Sequence, residues 1–207
     1  MRIGIFGGSF DPIHYGHLIL AECCRVQAKL DQVWFVPTSV GPHKKSGLHA
    51  SDRQRWEMLE LALAGNTEFV LSKLELDRGG ISYTVDTLTE IKNTHPDDEL
   101  FFMIGSDSLD QFPTWREPEK ILELATPLIV NRPKSESDTQ VEVDFSKLAP
   151  MVSEARLAEF KSHVILSPLI QISSTEIRRR ATENESFRYL LPRAVEKYIQ
   201  VKKVYQS

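Results

Sequence analysis

The sequence predicts an α/β fold: a doubly wound parallel sheet with helices on both faces. Short apolar runs alternate with longer amphipathic ones along the chain, as successive βαβ units require. Several of the short runs also lack period-2 alternation, which marks strands covered on both sides.

The strand candidates, in order, are Arg2–Phe6, Gln32–Val36, Glu68–Leu71, Glu99–Ile104, Pro127–Val130 and His163–Leu166. Each is short, apolar and rich in Val, Ile, Leu or Phe. Between them lie helical stretches. Ser51 and Gln54 stand in capping-box register and open one helix, with Trp56, Leu59 and Leu63 as its apolar stripe. Gly65 sits where a left-handed cap would end it. Thr84–Asn93 places Val85, Leu88 and Ile91 on one face and stops before Pro96. Glu117-Pro118 starts a short helix with Pro near its first position. The stretch Pro133–Pro150 is polar and reads as a long, variable loop within one domain spanning residues 1–207. The expected architecture is Rossmann-like, and its ligands bind at the carboxyl ends of the strands near the switch point.

Composition narrows the function classes. The chain has 207 residues with 25 Lys+Arg, 29 Asp+Glu and a net charge of −4, which argues against a binder of long nucleic acid. No apolar run approaches the ~18–20 residues of a membrane span, and no signal segment is visible. Cys23 and Cys24 are adjacent, unsuited to a disulfide framework, and read as packing residues of a cytoplasmic protein. Charge is uneven. Residues 171–207 hold 8 Lys+Arg against 4 Asp+Glu, where the first 170 hold 17 against 25. That excess is either solvated helix surface or a local field for an anion.

Two segments carry chemistry. The first, Gly7-Gly8-Ser9-Phe10-Asp11-Pro12-Ile13-His14-Tyr15-Gly16-His17, follows the first strand directly. It is neither the dinucleotide fingerprint nor the Lys-containing P-loop. Its glycines permit close backbone approach by a ligand. His14 and His17, three apart in the first turn of a helix, share a face beside free helix N–H groups, a ready anion site. Alone, such a pair can also be a surface coincidence or half a metal site. The second segment, Ile172-Ser173-Ser174-Thr175-Glu176-Ile177-Arg178, follows the last strand. Ser173 and Glu176 stand in capping-box register, and Arg178 lies one turn further in. Alone, it could be an ordinary capped helix with Arg178–Arg180 in solvent.

Taken together, these segments resemble the two signatures of the nucleotidyltransferase superfamily, Gly-Ser-Phe-Asp-Pro…His-x-Gly-His and Ile-Ser-Ser-Thr-x-x-Arg. The middle of the chain is similar to one branch of it, the bacterial nicotinate-nucleotide adenylyltransferases. The similar segments are Ile81-Ser-Tyr-Thr-Val-Asp-Thr-Leu88 and Ile104-Gly-Ser-Asp-Ser108…Phe112-Pro-Thr-Trp115. The resemblance implies adenylyl transfer from ATP to nicotinate mononucleotide, with pyrophosphate released. It implies catalytic roles for His14, His17, Lys44 (within Pro42-His43-Lys44) and Arg178. ATP contacts are implied at Gly7, Gly8, Ser9, Phe10, His14, His17, Gly105, Asp107, Ile172, Ser173, Ser174, Thr175 and Arg178. Mononucleotide contacts are implied at Lys44, Tyr83, Thr84, Trp115 and Arg132, with Trp115 stacking on the pyridine ring. Read without the family, Trp115 is equally a core aromatic, Asp107 a helix cap, and Lys44, Lys45 and Arg132 solvated charges. Phosphopantetheine adenylyltransferase shares both terminal signatures but lacks the Gly-Ser-Asp…Trp segment. A non-catalytic nucleotide sensor on the same fold would be expected to lose some of these residues. The phosphate nucleophile is already mostly dianionic near pH 7, since its second pKa is about 6, so no general base is obligatory. Mg²⁺ is expected to arrive with ATP, held through phosphate and water, and no carboxylate cage for it is apparent. Oligomeric state stays open, a homodimer being one option.

Overall fold

The computed structural model describes residues 1–41, 48–131 and 143–206. Its strands are β1 (Arg2–Gly8), β2 (Gln32–Pro37), β3 (Phe69–Leu71), β4 (Glu99–Gly105), β5 (Thr126–Asn131) and β6 (Val164–Leu166). Its helices are α1 (Tyr15–Gln27), α2 (Asp52–Leu63), α3 (Leu74–Arg78), α4 (Thr84–Thr94), α5 (Pro118–Leu124), α6 (Glu154–Ser162), α7 (Ser174–Thr182) and α8 (Arg193–Lys202), with 3₁₀ segments at Ser106–Thr114 and Ala149–Met151. The strands form one six-stranded sheet in the order β3-β2-β1-β4-β5-β6. The β1·β4, β4·β5 and β5·β6 ladders are parallel. This is the Rossmann-like parallel sheet expected, with helices on both faces. Its order reverses between β1 and β4, so the ends of those strands are where a ligand crevice belongs.

All six predicted strands are present, because short apolar runs of four to six residues are stable when covered within a sheet. Ser51 caps α2 with the full capping box, and Gly65 follows its end with φ +89°. The predicted stripe needs one correction. Leu59 and Leu63 are buried, but Trp56 is half-exposed beneath the Lys73 ammonium at 4.5 Å, and Met58 and Arg55 take its place inside. On α4, Val85, Leu88 and Ile91 are buried as expected, and Pro118 starts α5. Of the loop expected at 133–150, residues 133–142 lie outside the described residues.

The chain divides into two compact units. One comprises Met1–Gly7, Leu20–Trp34 and Tyr83–Leu169; the other comprises Gly8–Ile19, Phe35–Ser82 and Ile170–Ser207. In the first, Ile3, Leu100, Phe102, Leu128 and Ile129 supply the apolar body of the sheet. Cys24 is fully buried there, and burial pushes its thiol up to about 12, so it packs and does not react. In the second, Phe10, Phe35, Met58, Leu59, Ile177 and Val195 form the core.

Candidate functional site

Within the second unit the loop after β1 is held in place by backbone bonds from distant parts of the chain. Gly8 accepts from the Thr38 N–H at 2.9 Å. The Ser9 carbonyl accepts from Arg55 Nη1 at 2.7 Å, and the fully buried Arg55 also reaches the Thr38 carbonyl (2.6 Å) and Asp52 Oδ1 (2.7 Å). Phe10 is buried with φ 45°, which turns its ring edge-on to His17 at 5.2 Å. Asp11 is 1% exposed, and its carboxylate accepts from the backbone N–H of His49 (2.9 Å) and Ala50 (3.1 Å).

His14 stands one residue before α1, so it caps the helix where the sequence reading placed it inside. Its carbonyl accepts from the N–H groups of His17 (3.0 Å) and Leu18 (3.3 Å). Its own N–H donates to His17 Nδ1 at 3.3 Å. A neutral His17 therefore carries its proton on Nε2, ready as a donor. The two imidazoles stack, centroids 3.7 Å apart and 24° between planes. Gly16 makes this stack possible, because a Cβ there would meet His14 Cε1 and Nδ1 at 3.0 Å. Gly16→Ala is expected to lower turnover about tenfold by displacing the imidazole, while Tm shifts by only a few degrees because Ala favours the helix. Pyrophosphate release and thermal melts on one preparation check it, and unchanged turnover would overturn it.

The second segment closes onto this loop. Ser173 caps α7 and accepts from the Glu176 N–H at 3.2 Å. The other half of the predicted capping box does not form, because the Glu176 carboxylate turns outward to Arg179 and Arg180. Those pairings hold Glu176 down to about 2. Arg179 also meets Glu183 and Glu185, so this arginine belongs to a paired, solvated helix surface. Arg178 faces the other way. Its Nη1 donates to the Asp11 carbonyl at 2.7 Å and Nη2 to Thr175 Oγ1 at 3.3 Å, while Ser174 Oγ donates to the Pro12 carbonyl at 2.9 Å. Ile172 is half-buried and leads into the cap. The arginine and a hydroxyl of α7 thus bond the backbone of the loop that leads to the two histidines.

The first unit gathers the remaining residues. Gly105 ends β4, and Asp107 lies in the 3₁₀ segment that follows. That segment ends at Trp115, which is half-buried against Phe112 with centroids 5.2 Å apart. Tyr83 precedes α4, and Thr84 begins it. The Arg116 guanidinium lies 4.9 Å over the Tyr83 ring and donates to Asp86 Oδ2 at 3.1 Å, joining the Tyr83–Asp86 turn to the Trp115 segment. Gly7, near the end of β1, is exposed. Lys44, with Pro42 and His43, and Arg132 lie outside the described residues.

The sequence reading missed the residues that do the holding. Asp11 stands inside the first motif without an assigned role. Arg55 shares the i, i+4 face with Leu59, so the helical period itself points this charge at the core. Arg116 and Tyr205 carry no local signal. Among the described residues no group of three His, Cys, Asp or Glu could hold a metal, and no helix is long and apolar enough to cross a membrane.

A Rossmann-like sheet with a glycine loop, two adjacent histidines and a Ser/Thr-capped helix defines a nucleotidyltransferase. The cytidylyltransferase-like family profile matches residues 5–180. A protein of Thermomicrobium roseum named "Probable nicotinate-nucleotide adenylyltransferase" is 44% identical over 96% of this chain and 88% of its own length. One of Bacillus pumilus with the same name is 38% identical over 100% and 99%. Among solved structures, Plasmodium falciparum nicotinic acid mononucleotide adenylyltransferase complexed with NaAD has the same fold, with a TM-score of 0.71 at 22% identity over 99% of this chain and 97% of that one. The chain belongs to the cytidylyltransferase-like family and, within it, to the nicotinate-nucleotide adenylyltransferases.

Proposed function

We propose that the chain transfers the adenylyl group of ATP to nicotinate mononucleotide, giving nicotinate adenine dinucleotide and pyrophosphate in NAD biosynthesis. A 5′-phosphate oxygen of the mononucleotide attacks the α-phosphorus of ATP. The bond from that phosphorus to the bridging oxygen of the β-phosphate breaks, and pyrophosphate leaves. The protein's task is to bring two polyanions into line and to neutralise the leaving group. His14 and His17 donate to phosphate oxygens. Arg178, Ser173, Ser174, Thr175 and the amino end of α7 hold the departing phosphates. Gly8, Ser9 and Phe10 shape the loop against the nucleotide, with Gly7, Gly105, Asp107 and Ile172 completing the ATP contacts. Tyr83, Thr84 and Trp115 take the mononucleotide, Trp115 offering a ring face to the pyridine. Lys44 and Arg132 supply further positive charge.

The observation that carries this reading is the junction of the two motifs. Arg178 and Ser174 bond the carbonyls of Asp11 and Pro12, so residues more than 160 apart in sequence act on one loop. The donors here are N–H groups and hydroxyls, which suit phosphate oxygens and not a hard cation. Mg²⁺ is therefore assigned to the triphosphate and its water, and the residues named act on the phosphates. The proposed domain spans residues 1–207, and the adjacent free thiols suit a reducing cytoplasm.

The test is pyrophosphate release from ATP with nicotinate mononucleotide, nicotinamide mononucleotide or 4′-phosphopantetheine as acceptor. Release with nicotinate mononucleotide above the others is expected. Absence of release with any mononucleotide would overturn the proposal. Trp115→Ala is expected to raise KM for the mononucleotide about tenfold, the scale of one lost ring stack, and to spare KM for ATP. Equal losses for both substrates would exclude stacking.

A further inference from the structure

We infer that Tyr205 is a positioning residue for the phosphate-binding loop, acting through the buried carboxylate of Asp11. The Tyr205 hydroxyl donates to Asp11 Oδ1 at 2.7 Å, across 194 positions of sequence. Asp11 is otherwise satisfied by backbone, Oδ1 by the Ala50 N–H and Oδ2 by the His49 N–H, with the exposed His49 ring 3.5 Å from Oδ2. Tyr205 is therefore the side-chain hydroxyl that fixes where this carboxylate points. The main chain of Asp11 aims Arg178, and that of the next residue, Pro12, receives Ser174. His14 follows two residues later. A shift at Asp11 therefore reaches the arginine and the histidine stack together.

The tail is built to deliver the phenol. Val204 is buried and its N–H bonds the Ile199 carbonyl at 3.1 Å, while Thr182 of α7 donates to the Tyr205 carbonyl at 2.8 Å. Tyr205 itself sits at φ 65°, a conformation an aromatic residue adopts only when its surroundings impose it. Its main chain is thus tethered to the same helix that carries Ser174, Thr175 and Arg178. Burial and the Asp11 charge both raise the phenol above its ordinary range, so it stays a donor at working pH.

This inference rests on the proposed adenylyl transfer, and Tyr205→Phe, which removes one oxygen, tests it. The expected result is a roughly tenfold fall in kcat/KM for ATP, KM for nicotinate mononucleotide within about twofold of wild type, and Tm within a few degrees. Combined with Asp11→Asn, the Phe substitution should add much less than its effect alone, as members of one network do. Wild-type kcat/KM in Tyr205→Phe, equal losses for both substrates, full multiplication with Asp11→Asn, or a Tm collapse with normal kcat/KM in the folded fraction would each overturn the inference. Wild-type protein that releases no pyrophosphate overturns the functional reading itself, and that is seen before any variant is made.

Discussion

His17→Ala is expected to lower kcat by about 10²–10³, the scale for losing one preorganised donor to a developing charge. His17 accepts the His14 N–H at Nδ1, which leaves its Nε2 as the protonated nitrogen of the neutral ring. Phe10 meets the ring edge-on at 5.2 Å and His14 stacks on it at 3.7 Å, so its orientation is set before any substrate arrives. Alanine removes the donor and the partner of the His14 ring at once. Because His17 is only half-buried, Tm should move by a few degrees at most. Steady-state pyrophosphate release at saturating ATP is the measurement. A variant with full turnover would remove His17 from the transition state.

The largest expected stability effect is at Arg55. Arg55→Met keeps the length and apolar stem of a side chain that is 0% exposed, yet removes its bonds to the Ser9 carbonyl, the Thr38 carbonyl and Asp52. Two carbonyl acceptors then lie part-buried without their donor, at about 1–3 kcal/mol each, less what Met gains by packing. Asp52 is half-exposed and can return to water, so the lost ion pair adds little. A total of about 3 kcal/mol corresponds to a fall in Tm of roughly 6–12 °C for a chain of this size. Calorimetry checks the figure, and a fall below about 2 °C would show that the two carbonyls find other donors. Activity should fall too, since Ser9 begins the loop that leads to His14 and α1.

Much of the fold is legible in the chain because its strands are locally encoded. A run such as Glu99–Ile104 is apolar on both sides, and only a covered position in a sheet suits it. Ser51 and Gln54 satisfy each other within one turn, so that cap needs no tertiary information. The site was legible where its residues are contiguous, as in His14-Tyr-Gly-His17 and Ser173-Ser-Thr175. The three arginines of α7 are not separable by local pattern. Arg178, Arg179 and Arg180 are consecutive, and only the geometry of α7 sends the first to the Asp11 carbonyl and the others to Glu176.

The sequence by itself determined the six strands, the helices opened at Ser51, Thr84 and Pro118, the two motifs and the chemistry those residue types favour. These depend on interactions within a few residues, whose partners are adjacent in the chain. Only the tertiary structure decided which groups hold the motifs in register. Arg55, Tyr205 and Arg178 bond loop atoms 46, 194 and 167 positions away, and no local pattern encodes such a pairing. It also showed why an arginine on the apolar face of α2 can stay in the core: three acceptors placed by the fold receive its two terminal nitrogens.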